Sequence, residues 1–205
     1  MSRSKSSSAW LARHVRDPFV KRASKEGARS RARFKLAEID ARDKLLRPGM
    51  TVVDLGAAPG GWSEYAATRV TPRGRVMAVD VLPIEPIAGV EIVHGNIADP
   101  EVLDLLESKL AGDADLVISD MAPNMSGIAS RDQALSAELT ELAVDFAEKT
   151  LKRGGTLLLK AFHGEGFDEL GRRLRGLFEK VVTRKPSASR TESREIYLLA
   201  KGFKG

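Results

Sequence analysis

Thr51–Ser63, TVVDLGAAPGGWS, decides the fold of this chain. Val52 and Val53 run into Asp54, a turn of small residues follows (Gly56, Ala57, Ala58, Pro59, Gly60, Gly61), and Trp62 opens a helix. A buried strand that feeds a glycine-rich turn and a helix N-terminus brings backbone N–H groups against a nucleotide-like ligand. Outward from this stretch, further strands are predicted over Arg75–Asp80, Glu91–His94, Asp115–Asp120, Gly155–Phe162, Val181–Lys185 and Glu195–Lys201. Several are near-continuous apolar runs (VMAV, LVIS, TLLL), the pattern of parallel strands covered on both faces. Helical segments alternate with them over Ser30–Leu46, Gly61–Val70, Pro100–Leu110, Gln133–Leu151 and Gly166–Phe178. The alternation predicts an α/β fold, a Rossmann-like, doubly wound sheet of seven mostly parallel strands with helices on both faces. Pro186–Arg194 leaves no room for a crossover helix, so the last two strands are expected to form a C-terminal antiparallel hairpin. A seventh strand inserted this way separates methyltransferase-type sheets from dehydrogenase-type ones.

Composition sets the outer bounds. At 205 residues, with 42% hydrophobic and 30% charged side chains, the chain is expected to be a soluble protein with one well-buried domain. No apolar stretch has the length of a membrane span, and the N-terminus MSRSKSSSAW lacks the apolar core of a secretory signal. The absence of cysteine removes disulfides, thiolate metal sites and cysteine nucleophiles, and fits a cytoplasmic location. The serine-rich, basic start also matches the beginning of a transit peptide. The chain is expected to be a monomer without a metal.

The net charge of +5 conceals an asymmetry. Residues 1–35 hold eleven basic side chains against Asp17 and Glu26, a local +9, which leaves the remainder at −4. A basic arm on a mildly acidic body is the electrostatic footprint of phosphate-backbone binding. Residues 1–29 are therefore expected to be a partly flexible RNA-binding arm, and residues 30–205 the folded domain.

Ligands of such sheets sit at the carboxyl ends of the strands, which directs attention to the residues there. Gly56, Ala58 and Gly61 approximate the dinucleotide fingerprint G-x-G-x-x-G, so the turn alone is compatible with NAD or S-adenosylmethionine. Pro59 offers no N–H and weakly disfavours a pyrophosphate. Asp80, at the end of the second strand, is placed to bind both hydroxyls of a ribose. Asn96, after the third strand, is a candidate for the adenine amino group. Trp62 is a candidate cofactor neighbour, with helix packing as the competing assignment.

Asp120 and Lys160 end the fourth and fifth strands, and Glu195 starts the last. A lysine at the end of TLLLK is costly to bury without a partner or a task. Adjacent fourth and fifth strands would let Asp120 meet Lys160, and Lys35 would reach the same edge from the first helix. His14, His94 and His163 lack metal spacing, and Met121 and Met125 suit packing better than ligation. Arg184, Lys185, Arg190 and Arg194 surround Glu195 and are candidates for RNA phosphates.

With RSRARFKLAEID, VVDLGAAPGGWS, SDMAPNMSG, LLLKAFHGEGFDE and SREIYLLAKG in this order, the chain resembles the FtsJ/RrmJ family from about Trp10 to Gly202. The resemblance implies an S-adenosylmethionine-dependent ribose 2′-O-methyltransferase acting on RNA. It is strongest to the bacterial ribosomal members, which implies a uridine in the A-loop of 23S rRNA, within the large ribosomal subunit, as the target. It also implies a Lys-Asp-Lys-Glu catalytic set at Lys35, Asp120, Lys160 and Glu195, and cofactor contacts at Gly60, Trp62, Asp80 and Asp120. Asn96 departs from the aspartate expected for adenine recognition, although its amide oxygen still accepts a hydrogen bond. Lys160 would orient the ribose hydroxyl, as a base or as an electrostatic positioner. Competing assignments are an NAD-dependent oxidoreductase, a methyltransferase of transfer RNA or of an RNA cap, and a non-catalytic RNA-binding ribosome-assembly factor.

Overall fold

A computed structural model describes residues 17–123, 126–164, 166–189 and 193–205. Helix α1 (Pro18–Glu26) starts where the Asp17 carboxylate accepts the Phe19 N–H and stops at left-handed Gly27. Helix α2 (Ala32–Asp43) follows, and then β1 (Thr51–Leu55), α3 (Gly61–Val70), β2 (Arg75–Asp80) and β3 (Val90–His94). Next come α4 (Pro100–Leu110), β4 (Ala114–Ser119), the long α5 (Ala129–Thr150) and β5 (Leu151–Phe162). The chain closes with α6 (Phe167–Leu177), β6 (Phe178–Arg184) and β7 (Glu195–Phe203).

The seven strands form one sheet in the order β3-β2-β1-β4-β5-β7-β6. β1 to β5 are parallel, and β7 inserts antiparallel between β5 and β6, as the short Pro186–Arg194 link requires. Two apolar layers cover the sheet. Leu36 and Ile39 of α2 and Trp62, Ala66 and Val70 of α3 pack on one face, against Val52, Ile118, Leu158 and Leu199. Leu106 of α4, Val144 and Phe146 of α5, and Leu170 and Leu174 of α6 pack on the other, against Val53, Val117, Leu157 and Leu159. Successive strand residues thus enter opposite layers, which is why the strands read as unbroken apolar runs.

Element ends differ from the sequence-based bounds by a few residues. β5 begins at Leu151, because the strand continues through the exposed Lys152–Gly154 bend before its apolar stretch. α2 stops at Asp43, where Lys44 turns left-handed, and the buried Asp40 carboxylate accepts the Leu46 N–H instead of letting the helix run on. Within the expected arm, the described residues from Asp17 onward form α1 and its contacts. Ala23 of α1 packs with Phe34 of α2 and Ala188, and Arg31 clamps both Asp17 and the Ala188 carbonyl. Residues 1–16, the remainder of that arm, lie outside the described residues.

Candidate active site

Strand alternation selects the groups that meet at the carboxyl edge. Leu158 on β5 and Ile118 on β4 lie in the layer beneath α2 and α3, so Lys160 and Asp120, each two residues further on, project to that same side. Antiparallel β7 enters from this edge, with Glu195 opposite Phe162 and Tyr197 opposite Lys160. α2 lies over the same edge and carries Lys35 into it.

The four residues expected from the sequence converge. Lys160 Nζ donates to the Asp120 backbone carbonyl at 2.6 Å and lies 3.1 Å from Asp120 Oδ1. Lys35 Nζ donates to Glu195 Oε1 at 2.7 Å and lies 3.9 Å from Asp120 Oδ1. Both lysines are more than nine-tenths buried, which two nearby carboxylates make tolerable. Burial alone would raise the Glu195 carboxyl. The charge and hydrogen bond of Lys35 outweigh it, helped by Lys160 and the Ser189 hydroxyl, and hold Glu195 below the usual carboxylate range.

Two members of this cluster were not anticipated. Tyr197 is fully buried, its ring centroid 5.7 Å from that of Trp62. Its hydroxyl donates to Asp120 Oδ1 at 2.6 Å and accepts from Lys35 at 3.0 Å. Burial first, then the Asp120 and Glu195 charges, push this phenol well above its ordinary value. Ser189 donates to Glu195 Oε1 at 2.9 Å. The two-residue strand period that links Glu195 to Tyr197 was the available signal for the tyrosine. Ser189 sits in a loop and gave none.

The glycine-rich turn borders a cleft of about 150 Å³ lined by Gly56, Asp80, Val81, Asn96, Ile97 and Met121, among others. A side chain at Gly56 (φ +71°) would place Cβ 2.4 Å from Met121 Cγ, and one at Gly60 (φ +103°) would place it 2.5 Å from Ile87 Cδ1. Both backbone positions therefore require glycine. Arg29 secures the loop above Gly60 by donating to the carbonyls of Glu85 (3.0 Å) and Pro86 (2.6 Å). Asp80 receives the N–H groups of Ala58 and Leu82, each at 2.8 Å, so its carboxylate is fixed at the rim. Asn96 also lines the cleft, with its amide oxygen accepting the Ala98 N–H at 3.0 Å. The Trp62 indole, by contrast, is inside the core and donates to the Ala32 carbonyl at 2.7 Å. Asp120 belongs to the lysine cluster while Met121 and Ala122 line the cleft, so the two regions meet at the end of β4.

Below the turn, Asp54 receives the Ser63 hydroxyl at 2.6 Å, and its other oxygen is buried without a hydrogen-bond partner among the described residues. Burial pushes this carboxyl up to about 7, against the Ser63 hydrogen bond and assisted by the charges of Asp120 and Asp80.

The basic residues divide into committed and exposed groups. Arg184 forms a two-pronged pair with Asp43, and Lys185 caps the carbonyls of Ser193 and Glu195. Arg184 therefore ties the end of β6 to α2, and Lys185, itself exposed, braces the β6–β7 link. Arg194 is exposed, and Arg190 lies outside the described residues. Lys21 and Lys25 on α1 are exposed, whereas Arg22 pairs with Glu26 at 2.7 Å and Arg33 with Glu64 at 3.2 Å.

The chain is similar to known proteins along nearly its whole length. The family model described as FtsJ-like methyltransferase matches residues 28–203. A protein of Marinobacter nauticus named ribosomal RNA large subunit methyltransferase E is 55% identical over 205 residues, covering 100% of this chain and 99% of its own. The protein of the same name from Chromohalobacter salexigens is 56% identical over 203 residues, covering 98% and 97%. The crystal structure of a ribosomal RNA methyltransferase from Plasmodium falciparum superimposes with a TM-score of 0.78 at 30% identity, over 86% of this chain and 99% of that one. The chain belongs to the FtsJ-like methyltransferase family.

Proposed function

We propose that this protein transfers a methyl group from S-adenosylmethionine to the 2′ oxygen of a uridine ribose in the A-loop of 23S rRNA, within the large ribosomal subunit. The observation that carries the reading is the convergence of Lys35, Asp120, Lys160 and Glu195 beside a glycine-walled cleft. The choice of large-subunit RNA follows the names of relatives more than half identical over nearly the whole chain. The uridine and its loop follow from the family resemblance.

The residues present fit S-adenosylmethionine. Gly56 and Gly60 leave the turn without side-chain bulk, Asp80 offers carboxylate lone pairs to ribose hydroxyls, and Val81 and Ile97 give the cleft an apolar wall. Asn96 and the backbone of the turn at Gly60–Trp62 complete the proposed contacts. The bound cofactor supplies an electrophilic methyl group on a sulfonium.

The protein's share of the reaction is orientation and electrostatics. Asp120 occupies two of the positions around Lys160 Nζ, through its carbonyl and Oδ1, and among the described residues the remaining one is left for the ribose oxygen. There Lys160 orients the 2′ oxygen through its third N–H and stabilises the negative charge that develops on it, the hydroxyl proton leaving to solvent as the carbon–oxygen bond forms and the methyl–sulfur bond breaks. Alignment of that oxygen with the methyl carbon supplies much of the rate. Lys35 and Glu195 keep the pocket near neutrality and hold the cluster's shape. Exposed Lys21 and Lys25, with the basic residues of 1–16, hold RNA phosphates in a salt-dependent manner.

The test is to incubate the protein and methyl-labelled S-adenosylmethionine with large subunits that lack the modification. Label confined to an A-loop fragment of 23S rRNA is expected. Label in transfer RNA with none in the subunits would refute the assignment.

A further inference from the structure

We propose that Tyr197 is a positioning residue for methyl transfer, its hydroxyl holding Asp120 in place and keeping Lys35 from competing with Lys160 for that carboxylate. The inference rests on the function proposed above. A tyrosine hydroxyl has one proton to give, and three groups surround this one: Asp120 Oδ1 at 2.6 Å, Lys35 Nζ at 3.0 Å and Glu195 Oε1 at 3.2 Å. A lysine ammonium has no lone pair, so Lys35 donates and the hydroxyl proton goes to a carboxylate. Glu195 Oε1 already receives Lys35 at 2.7 Å and Ser189 at 2.9 Å. The short contact to Asp120 therefore takes the proton.

A directed chain results, from Lys35 through Tyr197 to Asp120 Oδ1, which Lys160 meets from the other side. Among the described residues, the hydrogen bonds and ion pairs of the Asp120 carboxylate all fall on Oδ1, and Oδ2 is left over. The hydroxyl gives Lys35 an acceptor at 3.0 Å while Asp120 Oδ1 stays 3.9 Å away. Without it, Lys35 would share Asp120 with Lys160, and the carboxylate would lose the donor that fixes its rotation. The ring needs no hydroxyl to stay where it is, because it packs on Trp62 within the apolar layer.

Tyr197→Phe keeps the ring and removes only the hydroxyl. The expected result, in single-turnover assays on unmodified large subunits, is a rate about 10- to 100-fold lower, the usual weight of one charge-assisted hydrogen bond. Cofactor Kd and RNA KM should stay within about twofold. Combined with Asp120→Asn, the variant should be no slower than Asp120→Asn alone, since both changes act through one group. A wild-type rate in Tyr197→Phe, losses that multiply in the double variant, or a melting temperature and cofactor affinity that fall together with the rate would each overturn the proposal. Wild-type protein runs in parallel: if it labels no ribose, the functional reading itself fails, and if it does so while Tyr197→Phe equals it, only the tyrosine's role fails.

Discussion

Asp54→Asn should stabilise this protein in alkaline solution and not in acid. Asp54 is 1% exposed; its Oδ2 receives the Ser63 hydroxyl at 2.6 Å and its Oδ1 is buried with no partner among the described residues. Burial raises the carboxyl from 3.8 to about 7. Between these values the unfolded chain has lost the proton that the folded chain keeps. Stability therefore falls as pH rises through this window, and the full penalty is present above pH 7. A difference of about three pH units at about 1.4 kcal/mol each bounds that penalty at about 4 kcal/mol. The amide that replaces the carboxyl leaves one polar group unpaired, which returns about 1–2 kcal/mol. A net stabilisation of about 2–3 kcal/mol remains at pH 8.5, an increase in melting temperature of about 5–10 °C for a domain of this size. At pH 4.5 the folded wild type carries the neutral acid, close in shape to the amide, and the variant should be no more stable than wild type. Thermal unfolding followed by circular dichroism from pH 4.5 to 8.5 measures both. A melting difference that does not change with pH, or a variant less stable at pH 8.5, would refute the argument.

Three further outcomes are expected. Lys160→Ala should lower methyl transfer by about 10²–10⁴-fold while cofactor affinity by calorimetry stays within about threefold, because Lys160 is outside the residues lining the cleft. Gly56→Ala should weaken cofactor binding about tenfold or more, since its Cβ would lie 2.4 Å from Met121 Cγ at a left-handed φ, and Met121→Ala should recover part of the loss. Removing residues 1–16, which carry Arg3, Lys5, Arg13 and Arg16, should reduce the slope of log affinity for RNA against log salt by up to about 3.

The fold was legible because its signals are local. Apolar runs, the turn at Gly56–Gly61 and the short Pro186–Arg194 link specify parallel strands, a crossover and a late hairpin without knowledge of tertiary contacts. That Asp120, Lys160 and Lys35 reach one edge was legible from strand ends, given adjacent fourth and fifth strands; that they form one set with Glu195 came from family likeness, since it depends on strand order and on which face of each strand they occupy. Tyr197 was missed because a tyrosine in EIYLLA reads as ordinary strand filling; the β5–β7 register that sets it opposite Lys160 is not written in either segment. Trp62 shows the opposite limit, for an aromatic beside a ligand turn reads the same whether it faces the cleft or the core. The Arg184–Asp43 pair was not legible because its partners lie 141 residues apart in sequence.

The central claim is that the cluster at the carboxyl edge directs a methyl group to a ribose oxygen. The direct measurement is alkaline hydrolysis of RNA labelled by the protein, since cleavage requires a free 2′ hydroxyl. The account predicts that the label survives in an alkali-resistant dinucleotide beginning with 2′-O-methyluridine, and that Lys160→Ala yields none. Label released as a single nucleotide methylated on its base would contradict it.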